Sequence, residues 1–180
     1  VPVLTTERLM MRPLEDDDLS LERDLDSDPE VLRYLYGRAR TPDEVWESHL
    51  RRMELGATVE GLGYWILYAG PDFAGLMMLP PVDQPGAAEL GYRLRRTHWG
   101  RGIATEASRE LLRHGFETVG LERVFAQTMA VNRGSRGVMR AVGMRYVRTF
   151  HPVWEDPLPG AEEGEVEYEI TAEEWARRTA

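Results

Sequence analysis

Residues 99–105 read Trp-Gly-Arg-Gly-Ile-Ala-Thr, and this glycine-rich turn constrains the fold more than any other stretch of the chain. An apolar run, Ala87 to Leu94, precedes it and reads as a strand. A helical pattern follows, with Ala104, Leu111, Leu112, Phe116 and Val119 spaced for one face. A strand, a tight Gly-x-Gly turn and a helix start together make an anion site. The first-turn N–H groups lack intrahelical acceptors, and the helix dipole favours negative charge there. Glycine lets the backbone approach phosphate oxygens and take positive φ. A phosphate or pyrophosphate is therefore the expected guest. The nucleotide loops do not fit: the P-loop lysine is missing, Thr105 stands at the third position of a dinucleotide turn, and no kinase catalytic-loop motif occurs. Taken alone, the turn reads equally well as an ordinary strand-to-helix connection.

A second segment, VNRGSRGVMRAVGMRYV from Val131, changes that balance. Asn132 suits a helix N-cap and Gly143 a helix stop, so a short capped helix between two strands is expected. In order, W-G-x-G-x-A-T-E and N-x-x-S-x-x-V-M-x-x-x-G-M resemble the GNAT (GCN5-related) N-acetyltransferases. More narrowly they are similar to the branch of ribosomal-protein N-terminal acetyltransferases. Thr5-Thr6-Glu7-Arg8-Leu9 through Arg12-Pro13-Leu14, Asp28-Pro29-Glu30-Val31, Glu89-Leu90-Gly91-Tyr92 and Glu173-Glu174-Trp175 are similar to further parts of that branch. The resemblance spans nearly the whole chain.

At 180 residues the chain is long enough for a full core and reads as one domain, residues 1–180. A hydrophobic content of 42% and a charged content of 29% are those of a soluble globular protein. No apolar run approaches a bilayer span and the start lacks a signal-peptide pattern, so the expectation is a cytoplasmic protein without a membrane partner. The absence of cysteine excludes disulfides and thiolate chemistry, and His49, His98, His114 and His151 show no metal-ligand spacing. A formal charge of −9 argues against a nucleic-acid surface and mildly favours a cationic partner such as an amine.

Strands are expected over 9–14, 64–69, 73–79, 87–94, 124–130, 145–150 and 166–170. Helices are expected over 16–25, 29–36, 42–55, after the glycine turn, and from Asn132. Short turns join the early strands while helices alternate with the later ones, which suggests an α+β fold with a mixed sheet. The resemblance implies the GNAT fold: a mixed central sheet of about seven strands flanked by helices, with two central parallel strands splayed into an acyl-coenzyme A cleft.

The resemblance also implies a site. The amides of Arg101, Gly102, Ile103, Ala104 and Thr105, with Gly100 in the turn, would hold the pyrophosphate of acetyl-coenzyme A (acetyl-CoA). The backbone of Tyr92 and Leu94 would pair with the pantetheine arm, and Asn132 and Ser135 would face the arm and thioester. Thr97 departs from the glutamine or arginine common three residues before the first glycine. Arg95, Arg96 and Arg101 are equally phosphate contacts or solvated arginines. Many family members carry a tyrosine seven residues after the asparagine to protonate the leaving thiolate, and here that position is Met139. Ser135 is the substitute candidate, with capping or packing as its other role, and a thiol pKa near 8.5 makes a fair leaving group without a strong acid.

The implied reaction is direct attack of a neutral amine on the thioester. At pH 7 an α-amine of pKa about 7.8 is roughly 10–15% neutral and a lysine near 10.4 roughly 0.04%. An α-amine therefore needs less help from a base. Glu89 is the leading base candidate, because it lies on the strand entering the turn. Alternation would place it on one face with Gly91 and Arg93, and its alternative role is a salt bridge to Arg93 or Arg109. His151 is the runner-up, and His98 is a surface residue or coenzyme contact. Trp46 and Trp65 read as packing, Tyr34 and Tyr36 as pocket candidates. The expected acceptor is a protein N-terminal α-amine, with a small-molecule amine (aminoglycoside, polyamine or amino-acid derivative) as the alternative. A non-catalytic acyl-CoA-binding module is the rival that Met139 favours. Pairing into a homodimer is a further expectation from relatives.

Overall fold

Nearly every residue of GYWILYA, 63–69, is apolar, as expected of a strand covered on both faces. The computed structural model describes residues 1–179, so Ala180, the last residue of the expected domain range, lies outside the described residues. Two sheets form the frame. In the first, β1 (Leu4–Thr5), β2 (Leu9–Pro13), β3 (Gly63–Ala69), β4 (Asp72–Leu79) and β6 (Gly91–Leu94) run in that order, antiparallel throughout. In the second the order is β5 (Ala87–Glu89), β7 (Arg123–Met129), β9 (Glu165–Thr171) and β8 (Arg145–Phe150). Among the described residues only the β5–β7 pair is parallel.

Helices cover both faces of the first sheet. After a 3-10 turn at Asp16–Asp18, α1 (Leu19–Asp26) and then α2 (Pro42–Gly56) pack a smaller core of Leu14, Leu25, Ile66, Phe73 and Leu76. Thr41 caps α2 with Pro42 at the first position and Glu44 reaching back, as the sequence indicates. The opposite face meets α3 (Ile103–Arg113) across the larger core, in which α4 (Arg133–Ala141) and α5 (Ala172–Thr179) pack on β7 and β9 of the second sheet. Trp65, Leu67, Met77, Leu111 and Leu112 are fully buried there, and the Trp65 indole donates to the Pro2 carbonyl at 2.8 Å. This core joins the two sheets, since Val124, Ala126, Val166 and Ile170 of the second also belong to it.

Five elements differ from expectation. The helix at 29–36 is a set of hydrogen-bonded turns ending at left-handed Gly37 (φ +70°). Its start is diverted because the Asp28 carboxylate accepts from Glu30 N–H at 3.0 Å and binds Arg96 at 2.6 Å. The strand 87–94 is two strands that belong to different sheets. The α3 pattern continues past Arg113 as a π turn, His114–Val119, closed by Gly120 (φ +83°). β1 and α5 lie outside the expected strands and helices, although Thr171-x-x-Glu174 is a helix-start signature, and Thr171 Oγ1 accepts from Glu174 N–H at 3.2 Å. Among the described residues no helix is long and apolar enough to cross a membrane.

Candidate active site

The split at Leu90 creates the site. Ala88 and Glu89 run beside Val124 and Phe125, and the Leu90 N–H still donates to the Phe125 carbonyl at 2.8 Å. From Gly91 onward the chain pairs instead with β4, Gly91 opposite Met78 and Leu94 opposite Gly75. β6 and β7 therefore diverge beyond Phe125. Arg95 N–H donates to the Ala74 carbonyl at 2.8 Å, so by antiparallel alternation Gly91 and Arg93 turn their main-chain groups to β4. Tyr92 and Leu94 turn theirs toward the gap. The Leu94 carbonyl already accepts the Trp99 indole N–H at 2.9 Å, which leaves its N–H as the free group.

Beyond β6 lies the glycine turn. Gly100 (φ +70°) and Gly102 (φ +73°) are both left-handed. A Cβ at Gly100 would meet nothing within 4 Å, and one at Gly102 only Arg8 Nη2 at 3.5 Å, so conformation rather than space calls for glycine. Glu106 N–H donates to the Gly102 carbonyl at 3.0 Å as the first helical bond of α3. The N–H groups of Ile103, Ala104 and Thr105 consequently have no acceptor inside the helix. Arg101 and Gly102 are exposed, Ala104 and Thr105 half-buried, while Ile103 buries its side chain in the core. These are the features of an anion cradle, and they fit a pyrophosphate.

Glu89 is the last residue of β5, where the strands part. Its carboxyl is held above the usual carboxylate range, first by burial and then by the negative charges of Glu167 and Glu165. It makes no salt bridge with Arg93 or Arg109. Arg93 places Nη1 2.9 Å from both oxygens of buried Asp26 on α1, and Arg109 donates to the Ala141 carbonyl at 3.4 Å. The chain passes from one sheet to the other at Leu90, so the expected shared face of Glu89 and Arg93 does not form. Glu167 is itself held by Gln127 at 2.8 Å, Arg123 at 3.2 Å and Arg148 at 3.3 Å. Burial alone raises the Glu165 carboxyl.

On the other strand of the gap, Asn132 caps α4. Its Oδ1 accepts from Ser135 N–H at 3.2 Å and its Nδ2 donates to Thr128 Oγ1 at 3.1 Å, tying α4 to the end of β7. Ser135 Oγ lies 2.8 Å from the Tyr92 hydroxyl, which also donates to the Ser135 carbonyl at 3.2 Å. Burial pushes the Tyr92 phenol up to about 12 despite the Ser135 bond. Met139 is buried in the core and offers no proton. A tyrosine hydroxyl from β6 thus meets the first turn of α4. The sequence reading used only the backbone of Tyr92. The hydroxyl's position rests on how β6 and α4 meet, which no local pattern encodes.

The remaining candidates are placed elsewhere. His98 is buried, not at the surface, with Nδ1 2.9 Å from Thr97 Oγ1, and burial followed by the Arg101 charge lowers its pKa. Arg95 and Arg96 pair with Asp24 at 3.2 Å and Asp28 at 2.6 Å. Those two pairs border a cavity of about 530 Å³ that Leu25, Val31 and Thr97 also line. His151 is exposed beyond β8. Tyr36 stands over the Arg40 and Arg93 guanidinium groups, and Tyr34 packs against Arg33. Trp65 is core, but Trp46 is 46% exposed and stacks on His49 rather than packing inside.

The acetyltransferase (GNAT) domain family matches residues 8–145, from Arg8 beside the cradle to the start of β8. The chain belongs to the GNAT acetyltransferases. It is similar to the FsC-acetyl coenzyme A-N(2)-transacetylase of Aspergillus fumigatus, 40% identical over 185 aligned residues that cover 98% of this chain and 79% of that protein. Among solved structures it resembles the ribosomal L7/L12 alpha-N-protein acetyltransferase RimL in complex with coenzyme A, with a TM-score of 0.79 at 16% identity, covering 94% of this chain and 98% of that one. A spermidine N-acetyltransferase from Vibrio cholerae, in complex with CoA and spermine, gives a TM-score of 0.78 at 15% identity over 95% and 99% of the two chains. Those two show the fold alone, and they serve different acceptors upon it. The activity of this GNAT acetyltransferase is acetyl-CoA-dependent N-acetyl transfer, and the rival reading as a non-catalytic module is set aside.

Proposed function

We propose that the acceptor is an α-amine carried by a small molecule, and that the gap between β6 and β7 is where it meets the acetyl donor. Acetyl-CoA supplies the acyl group as a thioester. The amides of Ile103, Ala104 and Thr105, with those of Arg101 and Gly102 in the turn that Gly100 permits, hold its pyrophosphate. The free N–H of Leu94 and both main-chain groups of Tyr92 hold the pantetheine arm as an added strand. Asn132 contributes by fixing the start of α4, so that Ser135 faces the same gap.

Glu89 takes the proton from the incoming amine. Its raised pKa makes it a stronger base than an exposed glutamate, and the absence of a bridging arginine leaves its oxygens available. When the Tyr92 hydroxyl turns its single hydrogen from the Ser135 carbonyl to Ser135 Oγ, the Ser135 hydrogen is free for the departing sulfur. A phenol near 12 does not surrender its proton to a thiolate of about 8.5, so the pair acts by hydrogen bonding, not by net proton delivery.

The observation that carries this reading is Glu89, raised by burial and then by neighbouring carboxylates and without a salt bridge among the described residues, at the point where β5 leaves β7. Such a base suits an amine of pKa about 7.8 better than one near 10.4. The A. fumigatus relative supports the choice of a small molecule over a protein N-terminus, because its name specifies an N(2) transfer and it is similar along 98% of this chain. The test is thiol release from acetyl-CoA, read with Ellman's reagent, against amino-acid amides, short peptides, lysine side-chain peptides and polyamines. The chain has no cysteine, so every thiol detected comes from coenzyme A. Release with α-amines, and mass spectra placing the acetyl group there, is the expected result. Release only with ε-amines or polyamines would overturn the α-amine assignment.

A further inference from the structure

Two motif residues remain without a task in this site: the Arg8 of Thr5-Thr6-Glu7-Arg8-Leu9 and the Glu106 that follows the glycine turn. They meet although 98 positions separate them. Arg8 Nε donates to Glu106 Oε1 at 2.7 Å, and Arg8 N–H donates to Glu106 Oε2 at 3.1 Å. Thr6 Oγ1 donates to the same oxygen through a short hydrogen bond. The other arm of the guanidinium, Nη1, donates to the Arg101 carbonyl at 2.9 Å.

We propose that Arg8 is a positioning residue for the cofactor cradle. Its fork spans from the first turn of α3 to the carbonyl between the two left-handed glycines, and so fixes the peptide that aims the Gly102 N–H. The inference rests on the cradle reading above.

The geometry carries it. A carbonyl held from one side sets the direction of the amide across the same peptide plane, because the peptide bond is planar and trans. Arg101 C=O and Gly102 N–H belong to one such plane. Gly100 and Gly102 flank it, and glycines give the turn conformational freedom that some other contact must remove. Arg8 is that contact. Glu106 in turn holds Arg8. Burial would raise the Glu106 carboxyl, but the Thr6 and Arg8 hydrogen bonds outweigh it and keep the group below the usual range, hence charged. Planar bidentate geometry is a property of arginine that lysine lacks.

The test compares the wild-type chain with Arg8→Gln and Arg8→Lys. Coenzyme A binding is read by calorimetry, and the loop by amide hydrogen exchange in the absence of ligand. Both variants are expected to bind coenzyme A about tenfold more weakly or worse. Faster exchange is expected over residues 99–106 only, with the thermal midpoint of the fold little moved. Lysine retains the charge and loses the fork, so wild-type affinity in Arg8→Lys would overturn the proposal in favour of plain charge attraction. Wild-type affinity in Arg8→Gln, or faster exchange spread across the whole fold, would overturn it too. A wild-type chain that does not bind coenzyme A would sink the cradle, and the clamp with it. Binding by the wild type with unaltered variants sinks the clamp alone.

Discussion

Glu89→Gln separates catalytic from structural roles at the split strand. The side chains are nearly isosteric, so the variant removes the charge and basicity and leaves the packing of β5 against β7. General-base assistance is worth about 10²–10⁴ in rate, and a loss of roughly 10² in kcat/KM is expected at pH 7. The pH dependence is the sharper signature. With Glu89 ionised, the enzyme can accept the ammonium form of the acceptor and remove its proton. Without Glu89 only the neutral amine reacts. For an α-amine of pKa about 7.8, the ammonium-to-amine ratio is roughly 6 at pH 7 and 0.06 at pH 9. The wild-type advantage should therefore shrink by about a hundredfold across that range, towards parity at pH 9. The assay is thiol release under kcat/KM conditions at half-unit steps of pH. A ratio that stays flat from pH 6.5 to 9 would refute the base assignment, whatever its size.

Stability moves the opposite way. Burial and two neighbouring carboxylates raise Glu89 in the folded state above its unfolded value. The folded chain then binds more protons than the unfolded one between those two values, so stability falls as pH rises through that window. Above it the full penalty is present. Glu89→Gln should accordingly raise the thermal midpoint at pH 7–8 and lose that advantage below the ordinary glutamate pKa.

Two further substitutions probe the gap and the cradle. Tyr92→Phe keeps the ring and removes the hydroxyl that meets Ser135, so kcat should fall about tenfold with KM for acetyl-CoA unchanged, at a stability cost of about 1 kcal/mol in urea titration. An unchanged kcat would show that Ser135 needs no orienting partner. Gly102→Ala has room for its methyl group but must hold φ near +73°, which costs about 1–2 kcal/mol. Weaker coenzyme A binding by calorimetry should accompany the lower thermal midpoint, and equal affinity would refute the cradle.

The legible parts of this molecule are those written locally. Thr41-Pro42-Asp43-Glu44, the Asn132 cap, left-handed Gly143 and the Gly100–Gly102 turn each carry their geometry in a few consecutive residues, and each was read from them. What escaped depends on residues distant in sequence. The strand-like run from Ala87 to Leu94 is consistent with one strand or with two, and only the competition between β4 and β7 for its hydrogen bonds decides. The Glu89 carboxyl is raised first by burial and then by Glu167 and Glu165 of β9, more than 70 positions later. Trp46 looked like core because aromatic residues at helical spacing usually are, yet α2 turns it outward over His49. The contact of Arg8 with Glu106 joins two motifs 98 positions apart, which no local pattern encodes.

The split itself has a sequence cause, at Gly75 rather than at Gly91. A Cβ on Gly91 would make ordinary van der Waals contact with the Met78 side chain, at 3.5–3.7 Å, so Gly91 does not require its glycine. A Cβ on Gly75 would stand 2.1 Å from the Arg93 carbonyl oxygen and 3.0 Å from Leu94 Cα, both backbone atoms of β6. The bare backbone at 75 is what lets β6 lie close against β4, and therefore away from β7. Gly75→Ala must push β6 on the order of 1 Å toward the gap to restore ordinary contact. That movement displaces the main-chain groups of Tyr92 and Leu94 that would hold the pantetheine arm. Overpacking of this kind costs about 1–3 kcal/mol, and misplacement on the order of 1 Å can lower the rate by about 10². Gly91→Ala is the control and should leave both stability and kcat/KM near wild type. If Gly75→Ala is equally silent in urea titration and in the thiol-release assay, the close approach of β6 to β4 is not what opens the cleft.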